Sequence, residues 1–254
     1  TKDKSHGDYA TNIALMLAKQ AKTSPLKLAQ VIIDQLDGAD FIEKTEIAGP
    51  GFINFFLSDK SSTAVIIDII ESGDGYGTSN IGAGQSILLE YVSANPTGPL
   101  HVGHGRGAAY GATVSNLLRA VGYKVDNEYY VNDAGRQMDI LSVSIFLRYL
   151  ALCGETIRFP DNGYQGKYIN DIASNIMQTY SDAFHKESAL VFEGICKDER
   201  EGGNKESHID ELISRSKELL GEGFKSIFKA GIESILSGIK KDLADFGVVF
   251  EKWF

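Results

Sequence analysis

Two histidines three residues apart, His101 and His104, are the residues of this sequence best suited to do chemistry. They follow a short apolar run at 87–89, which is typical of a buried strand, and a loop that contains two prolines. Residues from about 104 onward are predicted helix. A helix N-terminus offers backbone N–H groups and the positive end of the helix dipole, which together favour a bound anion. We therefore interpret residues 86–109 as an anion site with two imidazoles at its mouth.

The histidine pair allows three interpretations. In the first, Gly103 lets a nucleotide approach the backbone while both imidazoles donate hydrogen bonds to phosphate oxygens. In the second, the histidines are ordinary core residues. In the third they bind a metal, but no third ligand cluster is evident, and Cys153 and Cys196 stand 43 residues apart without a C-x-x-C motif. We favour the first interpretation, predict no side-chain metal site, and take the two cysteines as typical of a reducing cytosol.

A dinucleotide fingerprint also lies in this stretch. Gly103, Gly105 and Ala108 match G-x-G-x-x-A, and Asp126 follows about twenty residues later. That fingerprint requires a tight turn directly after the strand. Here residues 93–102 intervene, with their two prolines, so we do not expect a nicotinamide or flavin site. The sequence contains no G-x-x-x-x-G-K-[ST] motif, which excludes a P-loop.

Composition and charge narrow the class of protein. Hydrophobic residues make up 43% and charged residues 23% of the 254, as in ordinary globular proteins. The sequence has no run of 18 apolar residues, so we predict no membrane span. The net charge is −9, and no large segment is basic. Nucleic-acid binding would therefore need a local basic patch or parts of a longer protein.

The elements that must position the histidines form a predicted α/β protein with two domains. Residues 1–74 are expected to be a small α/β domain, and the glycine-rich residues 75–84 a linker. Within the first domain we predict two strands, at 41–47 and 52–57. Helices are predicted at 12–21, at 26–36 after a Ser24-Pro25 start, and from a Ser61 cap to about 70.

Residues 85–254 carry the candidate site. A strand at about 86–90, a helix at about 104–120, a strand at 124–131 and a helix ending near 150 follow the βαβ pattern of an open parallel sheet. From about 151 the sequence is mostly helical, with helices expected at 167–184 and 210–246 and a mobile polar loop at 196–206. A doubly wound sheet needs more strands, so we expect the chain to be truncated at its C-terminal end.

Four motifs resemble one family. P-L-H-V-G-H is similar to the H-I-G-H signature of class I aminoacyl-tRNA synthetases, with Val102 in place of isoleucine. The wider string at 90–104, E-x-x-S-x-N-P-T-G-P-L-H-V-G-H, resembles the arginyl-tRNA synthetase form of it. Further resemblances to that family are V-N-D-A-G-R-Q at 131–137, residues 159–173, and H-G-D-Y-A-T-N at 6–12. The resemblance covers almost the whole chain.

The resemblance implies a fold and a reaction. The fold would be a tRNA-core-binding N-terminal domain at 1–74, then the first half of a Rossmann-like parallel-sheet catalytic domain with a helical insertion from about 151. The reaction would activate L-arginine with ATP and Mg²⁺ and pass it to the terminal ribose of tRNA(Arg). The resemblance further implies a cytoplasmic enzyme that is a monomer when complete.

The resemblance also assigns roles to residues of the central stretch. His101 and His104 would be catalytic, stabilising charge on the phosphate. Together with Gly103, Thr97 and Gly98 they would bind ATP.

The resemblance places the amino-acid substrate beside the same strand. Glu90 would hold the guanidinium of arginine, since a carboxylate matches its paired donors. Ser93 and Asn95 would hold the ammonium and carboxylate groups. The alternative is that Glu90 is a solvated strand end and that Ser93 and Asn95 are turn residues before a proline. Asn132 and Asp133 are weaker candidates, because N-D-A-G is also an ordinary helix start.

The sequence departs from the family in its lysines. Class I members carry a K-M-S-K-S signature downstream, and none follows His104; the similar residues 2–5 lie upstream. Some arginyl members place a lysine just before H-x-G-H instead, but Gly98 stands there. We therefore expect this chain to be inactive alone, with the lysine elsewhere in a longer protein. The alternative is a non-catalytic module that binds tRNA or a nucleotide.

Overall fold

The computed structural model describes residues 1, 3–36 and 39–254, except for the side chains at 60–62. It divides the chain into two compact units, Thr1–Thr78 and Ser79–Phe254. The division falls within the glycine-rich stretch of the sequence. Each unit has its own sheet and its own buried cluster of side chains.

The first unit contains a three-stranded antiparallel sheet in the order β1-β3-β2, formed by β1 (Tyr9–Thr11), β2 (Ile42–Ala48) and β3 (Phe52–Leu57). The predicted hairpin of β2 and β3 is confirmed. Strand β1 was not expected, because three residues are too few for an alternating pattern to be visible. Strand β1 pairs with β3 and lies immediately before the helix predicted at 12–21.

Helices α1 (Ile13–Leu17) and α2 (Pro25–Asp34) complete the core of this unit, in which Ala14, Ala29 and Ile53 are fully buried. Helix α2 begins as predicted, with Pro25 in its first turn and the Ser24 hydroxyl accepting a hydrogen bond from a backbone N–H. Helix α1 is shorter than predicted.

Helix α3 (Asp59–Ser72) follows, with Ser58 at its N-cap position. The prediction of Ser61 as the cap is wrong, because the helix begins two residues earlier and Ser61 lies inside it. Ser58 has the extended backbone that a cap residue adopts. A short 3₁₀ helix, Gly73–Gly75, leads into the glycine-rich stretch 75–84.

The second unit contains a parallel sheet in the order β4-β5-β6, formed by β4 (Ser86–Glu90), β5 (Lys124–Tyr129) and β6 (Lys252–Trp253). Helix α4 (Val102–Ala120) connects β4 to β5. The predicted βαβ unit is therefore confirmed. Strand β6 was not expected, since it has two residues and lies more than 120 residues after β5 in the chain.

Side chains fix β6 beside β5. The Glu251 carboxylate accepts a hydrogen bond from the Asn127 backbone N–H at 2.8 Å. It also forms an ion pair with Arg119 at 2.7 Å. Arg119 also donates to the Val125 carbonyl oxygen at 2.8 Å. The Trp253 ring stacks on Tyr129 with ring centroids 4.4 Å apart. These contacts join distant parts of the chain, which is why no local pattern predicted the strand.

The remaining helices of the second unit are α5 (Arg136–Leu152), α6 (Lys167–Tyr180), α7 (Ser188–Val191), α8 (Lys205–Leu220) and α9 (Glu222–Asp245). Eleven residues of α5 are buried, because α6, α8 and α9 pack around it. The mostly helical character predicted after about 151 is confirmed.

Three details of that helical region differ from the predictions. The single helix expected at 210–246 is two helices, because Gly221 has φ 55° and breaks it. The helix expected to reach 184 ends at Tyr180. The polar segment 196–206 includes a 3₁₀ helix, Glu199–Glu201, anchored by the buried Asp198, whose carboxylate accepts backbone N–H bonds from Asp161 and Glu199. The expected mobile loop is thus largely a bonded structure.

Candidate functional site

The loop after β4 turns sharply and is bound to the end of β5. Val92 and Ser93 have φ 66° and 39°, a left-handed conformation that L-residues rarely adopt. The Tyr129 hydroxyl donates to the Ala94 carbonyl at 3.0 Å and accepts from the Ala94 N–H at 3.1 Å. The Ser93 hydroxyl accepts a hydrogen bond from the Tyr130 N–H at 3.1 Å. These bonds hold a strained turn at the carboxyl edge of the sheet.

The two histidines form the cap of α4. His101 is the N-cap residue, and its Nδ1 accepts a hydrogen bond from the Gly103 N–H at 3.1 Å. The His104 Nδ1 accepts from the His101 N–H at 3.2 Å. The rings stack with centroids 3.8 Å apart. This reciprocal arrangement is a capping box made of imidazoles in place of the usual hydroxyl and carboxylate.

The cap determines which ring nitrogen can donate outward. A nitrogen that accepts a hydrogen bond carries no proton, so in each neutral ring the proton is on Nε2. Burial lowers the pKa of His104 below its ordinary value of 6.5, and the neighbouring His101 lowers it further. At neutral pH His104 is therefore an uncharged ring with one N–H donor, at the positive end of a helix.

This geometry corrects part of the sequence interpretation. Helix α4 begins at Val102, three residues after the proline at 99, and the prediction of a start near 104 was late. The backbone N–H groups of His101 and Gly103, which we had expected to be open to an anion, are bonded to the imidazoles. These bonds leave the two Nε2–H groups as side-chain donors at this mouth. A side chain at position 103 would lie 2.9 Å from the His101 ring, which explains the glycine there.

Thr97 and Gly98, the other predicted ATP-binding residues, lie against α6. The Tyr168 hydroxyl donates to the Thr97 carbonyl at 2.7 Å. A Cβ atom at position 98 would lie 3.0 Å from the same hydroxyl. Tyr168 was not among the predicted site residues. In the sequence it is only one residue of the family-like segment 159–173, and its contact with the loop depends on the fold.

The residues predicted to bind arginine lie at the same edge, in different settings. Glu90 is the last residue of β4, is exposed, and lies in register beside Glu128 of β5. The Asn95 amide donates to the Gln137 side-chain oxygen at 2.7 Å. Ser93 is half-buried and bonded to the β5 end. Ser93 and Asn95 thus both contribute hydrogen bonds that hold the loop.

The second helix start at this edge belongs to α5. Asn132 and Asp133 lie exposed in the loop between β5 and α5. The first residue of α5, Arg136, donates from Nε to Asp210 at 2.7 Å and from Nη2 to Glu206 at 2.6 Å. This contact was not predicted, because the partners of Arg136 are 70 and 74 residues away in the chain.

Neither a metal-binding cluster nor a membrane-spanning helix is found in the described part of the chain. Across residues 1, 3–36 and 39–254, no group of three or more His, Cys, Asp or Glu side chains is arranged to hold a metal ion. Among the helices of the described part of the chain, none is long and apolar enough to cross a membrane.

The chain is similar to known proteins along its whole length. Residues 1–57 match the family described as "Arginyl tRNA synthetase N terminal domain", and residues 66–150 match "tRNA synthetases class I (R), catalytic domain". It is 54% identical to an arginine–tRNA ligase of Hydrogenovibrio crunogenus and 52% identical to one of Thioalkalivibrio sulfidiphilus. Each match covers 100% of this chain and 44% of the relative, so the chain spans less than half the length of these relatives.

A solved structure gives the same likeness. A Campylobacter jejuni protein assigned as an arginyl-tRNA synthetase aligns with 78% of this chain and 36% of its own length, at a TM-score of 0.59 and 28% identity.

Proposed function

This chain belongs to the arginyl-tRNA synthetase family, and we propose that it supplies the ATP-binding mouth of an arginine–tRNA ligase. The observation that carries the proposal is the imidazole cap of α4, which presents two Nε2–H donors at the carboxyl edge of a parallel sheet. In open α/β sheets this edge is where ligands bind. The complete protein, meaning the longer polypeptide that contains these 254 residues, would carry the activity.

The first step joins arginine to ATP. A carboxylate oxygen of arginine attacks the α-phosphorus of ATP, the bond to the β-phosphate oxygen breaks, and pyrophosphate leaves with the electron pair. The nucleophile is already an anion, so the step needs no strong base; it needs positioning and stabilisation of phosphate charge. His101 and His104 would supply hydrogen bonds to the phosphate oxygens. Mg²⁺ would enter as part of the ATP substrate, bound by its phosphates.

The second step transfers arginine to tRNA(Arg). The 2′-hydroxyl of the terminal ribose attacks the carbonyl carbon of the adenylate, its proton passes to solvent or phosphate, and AMP leaves. Residues 1–57, which match the N-terminal domain of this family, would contribute to tRNA binding. The net charge of −9 implies that most phosphate contacts come from elsewhere in the complete protein.

The setting of the enzyme follows from this proposal. Transfer to tRNA takes place in the cytoplasm, and the two free cysteines, Cys153 and Cys196, suit a reducing compartment. We propose that the complete protein works as a monomer.

Arginine-dependent exchange of pyrophosphate into ATP tests the function. The complete protein should exchange pyrophosphate into ATP only when arginine and tRNA are present, with lysine unable to replace arginine. The 254-residue chain alone should not aminoacylate tRNA, because the lysine signature of class I enzymes is absent from it. Exchange driven equally by another amino acid would contradict the arginine assignment, and turnover by the short chain would contradict the expected division of the active site.

Glu90 tests the amino-acid site. A carboxylate that binds a guanidinium contributes roughly 1.5–3 kcal/mol, so Glu90→Gln should raise the KM for arginine about tenfold to a hundredfold and leave the KM for ATP unchanged. Asp126→Asn is the matched control: Asp126 lies on β5, where its register partner is Leu88, two residues before Glu90 in β4. Equal kinetic effects of the two changes would reject Glu90 as the arginine ligand.

A further inference from the structure

Thr97, in the loop before the histidine cap, is held by a tyrosine of helix α6. The Tyr168 hydroxyl donates to the Thr97 carbonyl oxygen at 2.7 Å. Burial raises the pKa of the Tyr168 hydroxyl above its ordinary range, which keeps it a hydrogen-bond donor. The loop residue four positions before His101 is therefore fixed by the helical region of the chain.

The Tyr168 ring lies between two glycines that leave room for it. A Cβ at Gly98 would lie 3.0 Å from the hydroxyl oxygen and 3.2 Å from Cζ. A Cβ at Gly166 would lie 2.3 Å from Cε1 on the ring, closer than real atoms approach. Position 98 therefore has little space for a side chain while the Tyr168 ring stays in this place. The ring is fitted to the loop by shape as well as by its hydrogen bond.

Only a short segment connects Thr97 to the two imidazoles. Between Thr97 and the cap stand only Gly98, Pro99 and Leu100, and Leu100 packs against the core of the second unit. Before Thr97, Pro96 is buried and Asn95 is bonded to Gln137. A short segment with fixed ends has few ways to absorb a shift, so a displacement of Thr97 moves His101.

We propose that Tyr168 is a positioning residue for the ATP site: its hydroxyl and ring hold Thr97 and Gly98, and thereby set the place of the stacked His101 and His104 rings. The proposal rests on the proposed function. Tyr168 does not need to touch the substrate. Its effect is to keep two Nε2–H donors where the phosphate requires them, and misplacement by about 1 Å can reduce a rate a hundredfold.

The test compares two tyrosines of the second unit in the complete protein. Tyr168→Phe removes the hydroxyl and keeps the ring, and it should lower kcat/KM for ATP in the exchange reaction about threefold to tenfold, the effect of one hydrogen bond. The KM for arginine should not change. Gly98→Ala, which pushes against the ring, should have a larger effect of about tenfold to a hundredfold.

Tyr149→Phe is the matched control. The Tyr149 hydroxyl also donates a 2.7 Å hydrogen bond to a backbone carbonyl, that of Ser181, in the same unit. This change should lower thermal stability and leave kcat/KM for ATP unaltered. If Tyr168→Phe behaves like Tyr149→Phe, with lower stability and unchanged kinetics, Tyr168 is merely structural and the proposal is overturned.

A second readout does not depend on activity. In the complete protein labelled with ¹³C at histidine Cε1, the resonances of His101 and His104 can be assigned by their loss in His101→Gln and His104→Gln. Tyr168→Phe should shift both resonances, and Tyr149→Phe should not. Unshifted resonances overturn the proposal even if the enzyme is active. If the wild-type protein shows no arginine-dependent exchange, the proposed function fails, and these resonances still decide the role of Tyr168.

Discussion

Helices α4 and α5 both begin at the carboxyl edge of the parallel sheet, but they begin in opposite ways. Helix α4 is capped by its own His101 and His104, and no side chain from elsewhere among the described residues bonds to those two rings. Helix α5 follows Gly135, which has no side chain to cap it, and its first residue, Arg136, binds the distant α8. Three residues are buried along α4 and eleven along α5.

The difference indicates that the start of α4 is suited to bind a ligand, whereas the start of α5 stabilises the fold. The start of α4 satisfies its own backbone and leaves two ring N–H groups for a ligand. At the start of α5 the Arg136 side chain is bonded to α8, and the helix forms the centre of the helical region. Changes at the α4 mouth should therefore affect catalysis more than stability, and changes at the α5 start should do the reverse.

The largest expected effect tests the α4 side of this comparison. His104→Ala removes one preorganised donor to the phosphate and one half of the cap. Loss of a comparable donor lowers rates by about 10² to 10³, so arginine-dependent pyrophosphate exchange by the complete protein should fall by that factor. The measurement is kcat for exchange at saturating arginine and tRNA.

His185→Ala is the control for that change. His185 is also bonded to a neighbour, the Glu155 carboxylate at 2.9 Å, but lies in the helical region away from the α4 cap. Its exchange rate should equal that of the wild type. If His104→Ala keeps wild-type kcat, the imidazole cap is only a helix cap and the comparison between the two helix starts loses its functional meaning.

The sequence predicted the α4 mouth better than the α5 start, for a physical reason. The histidines, the glycine and the prolines of that stretch are neighbours in the chain, so their spacing alone indicates a strand, a loop and a helix. The contacts of Arg136 and Tyr168 join residues 70 or more positions apart. Such contacts depend on how helices pack, and no local periodicity encodes them.

Two errors near the site have equally specific causes. His101 was not predicted as the cap of α4, because histidine is rarely considered among cap residues and its ring nitrogen plays the part of a hydroxyl here. Strand β6 was not predicted, because it contains no run of β-forming residues. The side chains of Glu251 and Trp253 hold it beside β5. The parallel βαβ core itself follows from hydrophobic patterning.

The next prediction concerns how α4 packs on its strand. A Cβ at Gly111 would lie 2.2 Å from Cγ of Tyr91, so Gly111→Ala should destabilise the second unit by about 1–3 kcal/mol through overpacking. In the same helix, a Cβ at Gly107 would meet nothing within 4 Å. Gly107→Ala should therefore stabilise it by up to about 1 kcal/mol, through helix propensity.

Trp253 reports both changes. It is the single tryptophan of the 254 residues and lies in β6 of the second unit, so its fluorescence follows the unfolding of that unit in denaturant. Opposite shifts of the two midpoints are expected. Shifts in the same direction would show that α4 does not approach Tyr91 as closely as this geometry requires.

A smaller effect is expected at the α5 start. Arg136 is bonded to Glu206 and Asp210, but all three side chains are about half exposed, so solvent screens the pairs. Arg136→Gln should lower the unfolding midpoint slightly, and the difference from wild type should shrink at 1 M salt. Lys225→Gln, which removes an exposed pair with Glu222, should change nothing measurable. A large, salt-independent loss would mean that Arg136 contributes through packing instead.

The smallest expected effect is a pH dependence that comes from the α4 cap. Because the pKa of folded His104 lies below its ordinary 6.5, the unfolded chain binds a proton more readily than the folded chain. Stability should therefore be constant above about pH 6.5 and fall as the pH drops through that value towards the folded pKa. Protonation would also bring a positive ring beside His101 and oppose the stack.

The pH-dependent part of the stability should disappear in His104→Gln and persist in His6→Gln, a change at an exposed histidine of the first unit. With Trp253 fluorescence as the reporter, an identical pH profile for His104→Gln and wild type would show that the cap does not disfavour the protonated ring.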